Sequence, residues 1–145
     1  MDYYLNYHFM YQYEKVSSSE ATRLIEVVVK ESEKINKSVA VAVNGPEGEL
    51  ISFLRMDGVN AASAVIAQNK AYTSARDRKS TREMGKYMRE KESPPAFWGD
   101  KGITGFGGGF PITQNGKVIG GIGVSGLSQD EDERIAQAAI DAVYK

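Results

Sequence analysis

Residues 105–126 read GFGGGFPITQNGKVIGGIGVSG, and this stretch decides the fold. Asn115 and Gly116 stand between two apolar runs, and this pair is typical of a two-residue hairpin turn because both turn positions need a positive φ. The stretch therefore predicts a β-hairpin that turns at Asn115. Strands joined by such a turn are antiparallel, so we expect an antiparallel sheet.

A second hairpin is predicted nearer the start of the chain. Residues 38–43 (SVAVAV) alternate small and β-branched side chains, residues 44–48 (NGPEG) are turn formers, and residues 50–54 form another apolar run. This succession is typical of two strands joined by a turn.

Helical signals flank both hairpins. Ser17 with Glu20, and Ser128 with Glu131, have the spacing of capping boxes, in which each side chain bonds a backbone N–H group of the other residue. Apolar residues recur at three- and four-residue spacing after each box. We therefore predict one helix after Ser17 and another that closes the chain.

The middle of the chain holds an alanine-rich helix and a long connection. Six alanines lie between residues 60 and 78, which predicts a buried helix that can approach the sheet closely. Residues 79–102 are rich in charges and breakers and are predicted to be a partly helical, exposed connection with a functional role. The order of elements predicts an α+β fold, an antiparallel sheet from two hairpins with flanking helices, in one domain over residues 17–145.

Residues 1–16 form an aromatic N-terminal segment. Tyrosine, leucine and phenylalanine alternate with polar residues over residues 3–13, which predicts a strand with one buried face, although the spacing of Tyr3, Tyr7 and Tyr11 also fits a helix. Three roles stay open: docking on a neighbouring subunit, pairing within the domain, or a disordered tail.

The composition excludes several classes of function. Lys and Arg number 18 against 19 Asp and Glu, so no positive excess is available to neutralise a nucleic-acid backbone. The chain has no cysteine and one histidine, which excludes disulfides, thiolate metal sites and histidine clusters. No apolar run approaches the roughly 20 residues of a spanning helix, and residues 1–15 lack signal-peptide features, so we expect a cytoplasmic protein with no membrane partner.

Three consecutive glycines, Gly107, Gly108 and Gly109, stand before Phe110 and Pro111. They lose much conformational entropy on ordering and leave backbone N–H groups open, so they are candidate ligand-binding residues. The alternative is a turn that needs a positive φ before an edge strand begins.

Further candidate ligand-binding residues are Arg55, Met56 and Asp57, at the end of the first hairpin, and Lys70 on the alanine-rich helix. Arg55 and Asp57 would otherwise close a turn as an ion pair, with Asp57 or Asn60 capping the next helix. The Lys70 ammonium must either extend to water or meet an anion, because the helix around it is apolar.

A dinucleotide fingerprint, G-x-G-x-x-G, is matched by Gly121, Gly123 and Gly126 between a predicted strand and a helix. The helix begins with residues 129–133 (QDEDE), whose carboxylates would repel a pyrophosphate. Close packing of the strand against another backbone or against the alanine-rich helix explains these glycines better.

A basic run near the end of the alanine-rich helix consists of Arg76, Arg78, Lys79 and Arg82. It is interpreted as a solvated face near a helix C-terminus, with an anion site as the alternative. His8 is interpreted as a surface residue, with haem or metal ligation as the alternative, and no metal site is predicted.

Several motifs occur in a fixed order along the chain. They are Arg55-Met56-Asp57, Asn69-Lys70-Ala71, Gly107-Gly108-Gly109-Phe110-Pro111-Ile112, Gly116-Lys117-Val118-Ile119-Gly120 and Ile122-Gly123-Val124-Ser125-Gly126 followed by Asp130. In this order they resemble the GlcG/HbpS family, also called the haem-degrading domain family, which is related to the C-terminal domain of PduO-type proteins. The resemblance covers roughly residues 17–144.

The resemblance implies an α+β domain that assembles into a homo-oligomer and binds haem or a related tetrapyrrole, with haem degradation reported for some members. Haem ligation in studied members includes histidine, and this chain has none after His8. Met56, a tyrosine or Lys70 would then replace it, or haem would bind by stacking and by propionate contacts to arginine or lysine.

Three functions are therefore compared. The leading hypothesis is a small-molecule-binding protein with a hollow between the alanine-rich helix and the turn at Gly107 to Pro111. The second is an enzyme that uses Lys70 or Asp57 as an acid–base group on a small carbonyl or carboxylate substrate. The third is an assembly module whose glycines serve packing alone.

Overall fold

The computed structural model describes residues 10–145, so His8 and most of the aromatic segment lie outside the described residues. Along the chain the elements are α1 (Ser18–Lys34), β1 (Ala40–Asn44), β2 (Leu50–Arg55), α2 (Ala61–Asp77), α3 (Thr81–Glu90), a 3₁₀ helix (Pro95–Trp98), β3 (Gly109–Gln114), β4 (Lys117–Ser125) and α4 (Gln129–Tyr144). Within the aromatic segment, residues 10–15 are exposed and belong to neither a helix nor a strand.

The four strands form one antiparallel sheet in the order β2-β1-β4-β3. Strands β1 and β2 are the first predicted hairpin, and β3 and β4 are the second, so the predicted α+β fold is confirmed. The turn between β3 and β4 has a φ of 52° at Asn115 and 75° at Gly116, as the Asn-Gly pair predicts.

Side chains at the helix starts confirm the predicted caps. Ser17 with Glu20, and Ser128 with Glu131, both form complete capping boxes. The Asn60 side chain caps α2 by accepting a hydrogen bond from the Ser63 N–H group. Local sequence therefore sets where three of the helices begin.

The two faces of the sheet are built from different residues. On one face, large aliphatic side chains such as Val41, Ile122 and Val124 pack into a core with buried residues of α1 and α4. On the other face, α2 lies against the glycines of β4, so close that a Cβ atom at Gly121 would be 2.6 Å from the Ala71 carbonyl oxygen. A Cβ at Gly123 would meet the Ala67 carbonyl oxygen, so these two glycines of the fingerprint serve close packing.

The connection predicted over residues 79–102 is partly helical, as expected. It contains α3, whose Met84, Gly85 and Met88 are buried, and then the exposed 3₁₀ helix. Over residues 10–145, none of the helices has the length and apolar character needed to cross a bilayer.

Candidate functional site

Lys70 lies on the face of α2 that packs against β4, and its side chain is almost completely buried. Its Nζ donates hydrogen bonds to the Val124 carbonyl oxygen at 2.7 Å and to Asp132 Oδ2 at 3.1 Å. Of the two predicted alternatives, the structure therefore shows the second, because the ammonium meets an anion and does not extend to water.

The anion, Asp132, projects from α4 and is as deeply buried as Lys70. Its second carboxylate oxygen accepts a hydrogen bond from the Leu127 N–H group at 3.2 Å. Burial lowers the pKa of Lys70 and raises the pKa of Asp132, and the attraction between the two charges opposes both shifts. The pair thus joins α2, β4 and the start of α4.

Asp132, the partner of Lys70, is not among the residues that the sequence patterns single out. The signal was present, because Asp132 falls on the helical spacing of the buried residues Ile135, Ala136 and Ala139. A carboxylate on the buried stripe of a helix needs a compensating charge. The interpretation of residues 129–133 as favourable charges near a helix N-terminus does not indicate which of them is buried and needs a partner.

Two of the three glycines, Gly108 and Gly109, pack directly against Lys70. A Cβ atom at Gly108 would lie 2.6 Å from Lys70 Nζ, and one at Gly109 would lie 2.7 Å from the Lys70 carbonyl oxygen. The predicted hollow between the alanine-rich helix and this turn is therefore wrong for the single chain. Gly108 has a φ of 128°, so the turn interpretation of the glycines is correct there.

Backbone N–H groups of the glycine turn are already bonded within the protein. The Gly107 N–H donates to Gln129 Oε1 at 2.7 Å, and the Gly109 N–H donates to Thr81 Oγ1 at 2.9 Å. The expectation that these two groups stay open for a ligand is therefore wrong, because α3 and α4 supply their acceptors.

Arg55, Met56 and Asp57 lie at the same end of the sheet as the glycine turn but on the opposite edge strand. Arg55 Nε donates to the Val59 carbonyl oxygen at 2.8 Å, and the Met56 sulfur accepts from the Val39 N–H group at 3.4 Å. Asp57 is exposed and forms no ion pair with Arg55. With three strand spacings between β2 and β3, the two groups are about 14 Å apart.

The basic run divides into two engaged and two uncompensated side chains. Arg76 bonds Asp100 at 2.8 Å, and Arg82 bonds both Asp130 and Glu133 of α4. Arg78 and Lys79 are exposed, and neither has a carboxylate within 4.0 Å in the described part of the chain.

The uncompensated pair lies at a cleft of about 290 Å³ between β3, the start of α3 and the end of α4, here called the β3–α4 cleft. Its lining residues are Arg78, Lys79, Ser80, Glu83, Phe110, Pro111, Thr113, Gln137, Ile140 and Lys145. The apolar members are half-buried, and the charged members are exposed. The cleft therefore has an apolar floor and a rim on which cations outnumber carboxylates.

A smaller hollow of about 210 Å³ lies between Arg76, Asp77, Trp98, Asp100 and Ile103. The Asp100 carboxylate already accepts hydrogen bonds from Arg76 and from the hydroxyl of Tyr72. With two carboxylates and one engaged arginine in its lining, this hollow does not favour an anionic ligand.

Residues 10–145 contain no group of three or more acidic or histidine side chains arranged to hold a metal ion. Of the axial alternatives for haem, Met56 and Lys70 are also engaged. The Met56 sulfur accepts a backbone hydrogen bond, and Lys70 is an ion-paired ammonium with no lone pair to donate.

A family model and a curated relative both match most of this chain. A family model described as "Haem degrading protein HbpS-like" matches residues 16–141. GlcG of Escherichia coli K12 is 33% identical over 110 residues, which are 76% of this chain and 81% of GlcG.

Two solved structures are similar to this chain. A double mutant of Streptomyces reticuli HbpS has a TM-score of 0.86 at 30% identity, covering 94% of this chain and 92% of the other. The complex of PduOC with haem has a TM-score of 0.83 at 26% identity, covering 90% and 96%.

Proposed function

The chain belongs to the HbpS-like family, and on this premise we propose that it is a small-molecule-binding protein whose ligand is haem or a related tetrapyrrole. The observation that carries the proposal is the likeness, over 90% of the chain, to a structure solved as a haem complex. The β3–α4 cleft supports it, since a tetrapyrrole combines an apolar macrocycle with carboxylate groups.

The residues of the chain fit the organic part of haem better than its iron. An apolar floor suits the macrocycle, and exposed cations suit the propionates. Met56 and Lys70, two of the three named substitutes for histidine, are held by other bonds. Bound haem supplies a redox-active iron, whereas the protein would bind and orient the macrocycle and exclude water from one face of it.

Titration of the full chain with hemin tests this function. We expect a saturable shift of the Soret band at micromolar protein, because the macrocycle moves from water to an apolar surface. Absence of a saturable shift would remove the haem proposal.

The seven predicted ligand-binding residues remain part of the proposal in two different ways. Arg55 and Asp57 are exposed at the end of β2, outside the β3–α4 cleft, so direct contact with a ligand stays a prediction for these two. Lys70 and the three glycines are engaged or packed, so they would act by holding β3 and β4 in place, whereas Met56 would hold the ends of β1 and β2 together. A hemin titration of Arg55→Gln with Asp57→Asn tests direct contact, and unchanged affinity would exclude it.

Homo-oligomer formation is the second part of the proposal. Strand β2 lies at the edge of the sheet, and its Leu50 and Leu54 side chains are 52% and 39% exposed. An edge strand with exposed apolar residues favours pairing with another chain. Sedimentation at equilibrium checks it, and a monomer at all concentrations would contradict it.

Enzymatic use of Lys70 gains no support from the geometry. The side chain is enclosed by Val124, Asp132 and Gly108, so a substrate would need the helix and sheet to separate. Asp57 is exposed and outside both hollows.

A cytoplasmic location stays a prediction, which cell fractionation tests.

A further inference from the structure

We infer that the β3–α4 cleft is the site that binds the carboxylate edge of the ligand, with Arg78 and Lys79 as the groups that hold it. This inference rests on the proposed function and goes beyond it, because it places the site away from the glycine turn and Lys70. It also defines the ligand class as an apolar, planar molecule that carries carboxylates, with or without a metal.

The charges of the basic run point to this cleft. Arg76 and Arg82 are neutralised by carboxylates of neighbouring segments, so they are not free for a ligand anion. Arg78 and Lys79 line the cleft without such a partner in the part of the chain that the structure describes. A guanidinium and an ammonium side by side suit the bidentate and point contacts that carboxylates make.

Other charged side chains that line the cleft leave this pair as the main anion contact. Lys145 already bonds Asp141 at 2.9 Å. Glu83 brings one negative charge, next to the Ser80 cap of α3. The Lys79 ammonium lies 5.0 Å from the centre of the Tyr87 ring, a contact that leaves its charge without a carboxylate partner among the described residues.

The backbone of Arg78 is a second observation in the same place. Arg78 ends α2 in the left-handed conformation, with a φ of 57°. Glycine is the usual residue at such a helix end, because a side chain is disfavoured there. The chain thus carries a long cationic side chain at a position where the backbone alone would favour glycine.

Three apolar residues form the floor of the cleft, namely Phe110, Pro111 and Ile140. The volume of about 290 Å³ lies just below the roughly 300–1,000 Å³ of most ligand sites. A tetrapyrrole would therefore insert one edge and leave the rest of the macrocycle outside the cleft. Among residues 10–145, the lining contains no histidine, cysteine or methionine, so the contacts that it offers are to the macrocycle and its carboxylates.

Metal-free protoporphyrin IX and its dimethyl ester separate carboxylate recognition from all other contacts. Both have the same macrocycle, but the ester carries no negative charge. We expect protoporphyrin IX to bind the full chain at least about tenfold more tightly than the ester, because the ester cannot form the charge-assisted hydrogen bonds of the carboxylates. Porphyrin fluorescence follows both titrations.

The decisive variant is Arg78→Gln with Lys79→Gln, which removes both cations and keeps a polar side chain at each position. Its matched control is Lys86→Gln with Arg89→Gln, which removes the same two charges from exposed positions of α3 outside the cleft. We expect the first variant to bind protoporphyrin IX at least about tenfold more weakly than the control, and both to bind the ester equally. Circular dichroism confirms that both variants are folded.

The outcomes separate the inference from the proposed function. If hemin and protoporphyrin IX bind the full chain and the cleft variant binds as tightly as its control, the site is wrong and the proposed function stands. If neither compound binds the full chain, both fall. Equal loss in the cleft variant and the control would also overturn the site, because general charge would then explain binding.

Discussion

Two regions on either side of the turn from Gly107 to Pro111 place cations beside the same segment, and they differ in one respect. On the inner side, Lys70 is enclosed by Gly108 and paired with Asp132 at 3.1 Å. On the outer side, Arg78 lines an open cleft with Phe110 and Pro111, without an acidic partner among the described residues. The inner cation is compensated within the fold, and the outer one is available to a ligand.

This difference explains why a buried charge is a poor guide to a binding site. A buried ammonium requires a partner, so its environment is occupied before any ligand arrives. An exposed cation next to half-buried apolar groups loses less solvation when it binds a ligand than a cation that is fully buried. Its hydrogen-bond donors also stay available to the ligand. We therefore expect substitutions in the inner region to change stability and those in the outer region to change binding.

The largest effect is expected for Asp132→Ala, which leaves the Lys70 ammonium buried without a counter-charge. Loss of one partner of a buried ion pair costs about 3–5 kcal/mol of the free energy of unfolding. Arg78 is exposed, so Arg78→Gln should change the free energy of unfolding by less than about 0.5 kcal/mol. Urea denaturation measures both, and equal stabilities of the two variants would break the comparison.

Gly108→Ala should have the next largest effect, a destabilisation of about 2–3 kcal/mol. Its φ of 128° disfavours a side chain, and the added Cβ would lie 2.6 Å from both Lys70 Nζ and the Val124 carbonyl oxygen. Gly116→Ala is a suitable control, because the φ there is also positive but no atom lies within 4 Å. A similar loss in both variants would show that packing against Lys70 contributes nothing.

The pH dependence of Asp132→Asn sharpens the same contrast. Burial lowers the pKa of Lys70, and Asp132 opposes this shift, so the variant should lower the pKa further. Between the folded pKa and the higher unfolded pKa, the unfolded state binds more protons, so stability rises with pH. The rise is at most about 1.4 kcal/mol per pH unit.

Urea midpoints between pH 6 and pH 9 provide the measurement. The midpoint of the variant should rise more steeply with pH than that of the unmodified chain, in which Asp132 opposes the lowering of the Lys70 pKa. Parallel pH profiles for the two proteins would mean that Asp132 does not control the protonation of Lys70.

The smallest effect is expected for Arg78→Gly, with a gain in stability of about 0.5 kcal/mol. Glycine removes the strain of the left-handed conformation, which stabilises the folded chain by about 1–2 kcal/mol. It also makes the unfolded chain more flexible, which costs about 0.5–1 kcal/mol of stability. The melting temperature should rise slightly while protoporphyrin IX binding weakens. A variant that is less stable and binds as before would contradict both statements about Arg78.

Sequence reasoning predicted the features that depend on neighbouring residues. The two hairpins, both capping boxes and the Asn115-Gly116 turn follow from local patterns and are present. The buried alanine-rich helix was also predicted, because small side chains at helical spacing indicate close packing. These features need no information about distant parts of the chain.

The surroundings of the predicted site residues depend on pairings between residues far apart in the sequence, which local patterns do not identify. Lys70 and Asp132 are separated by 62 positions, so nothing local revealed that the expected hollow is filled. The basic run was recognised as a group, but only the fold shows that Arg76 and Arg82 are neutralised while Arg78 and Lys79 are not. Periodicity indicates burial, but it does not identify the partner.

A crystal structure of the full chain with protoporphyrin IX tests the central claim most directly. We predict the porphyrin against Phe110 and Pro111, with its carboxylates within about 3 Å of Arg78 and Lys79 and the Lys70–Asp132 pair unchanged. A porphyrin bound away from the β3–α4 cleft, or inserted between Lys70 and Gly108, would contradict the account.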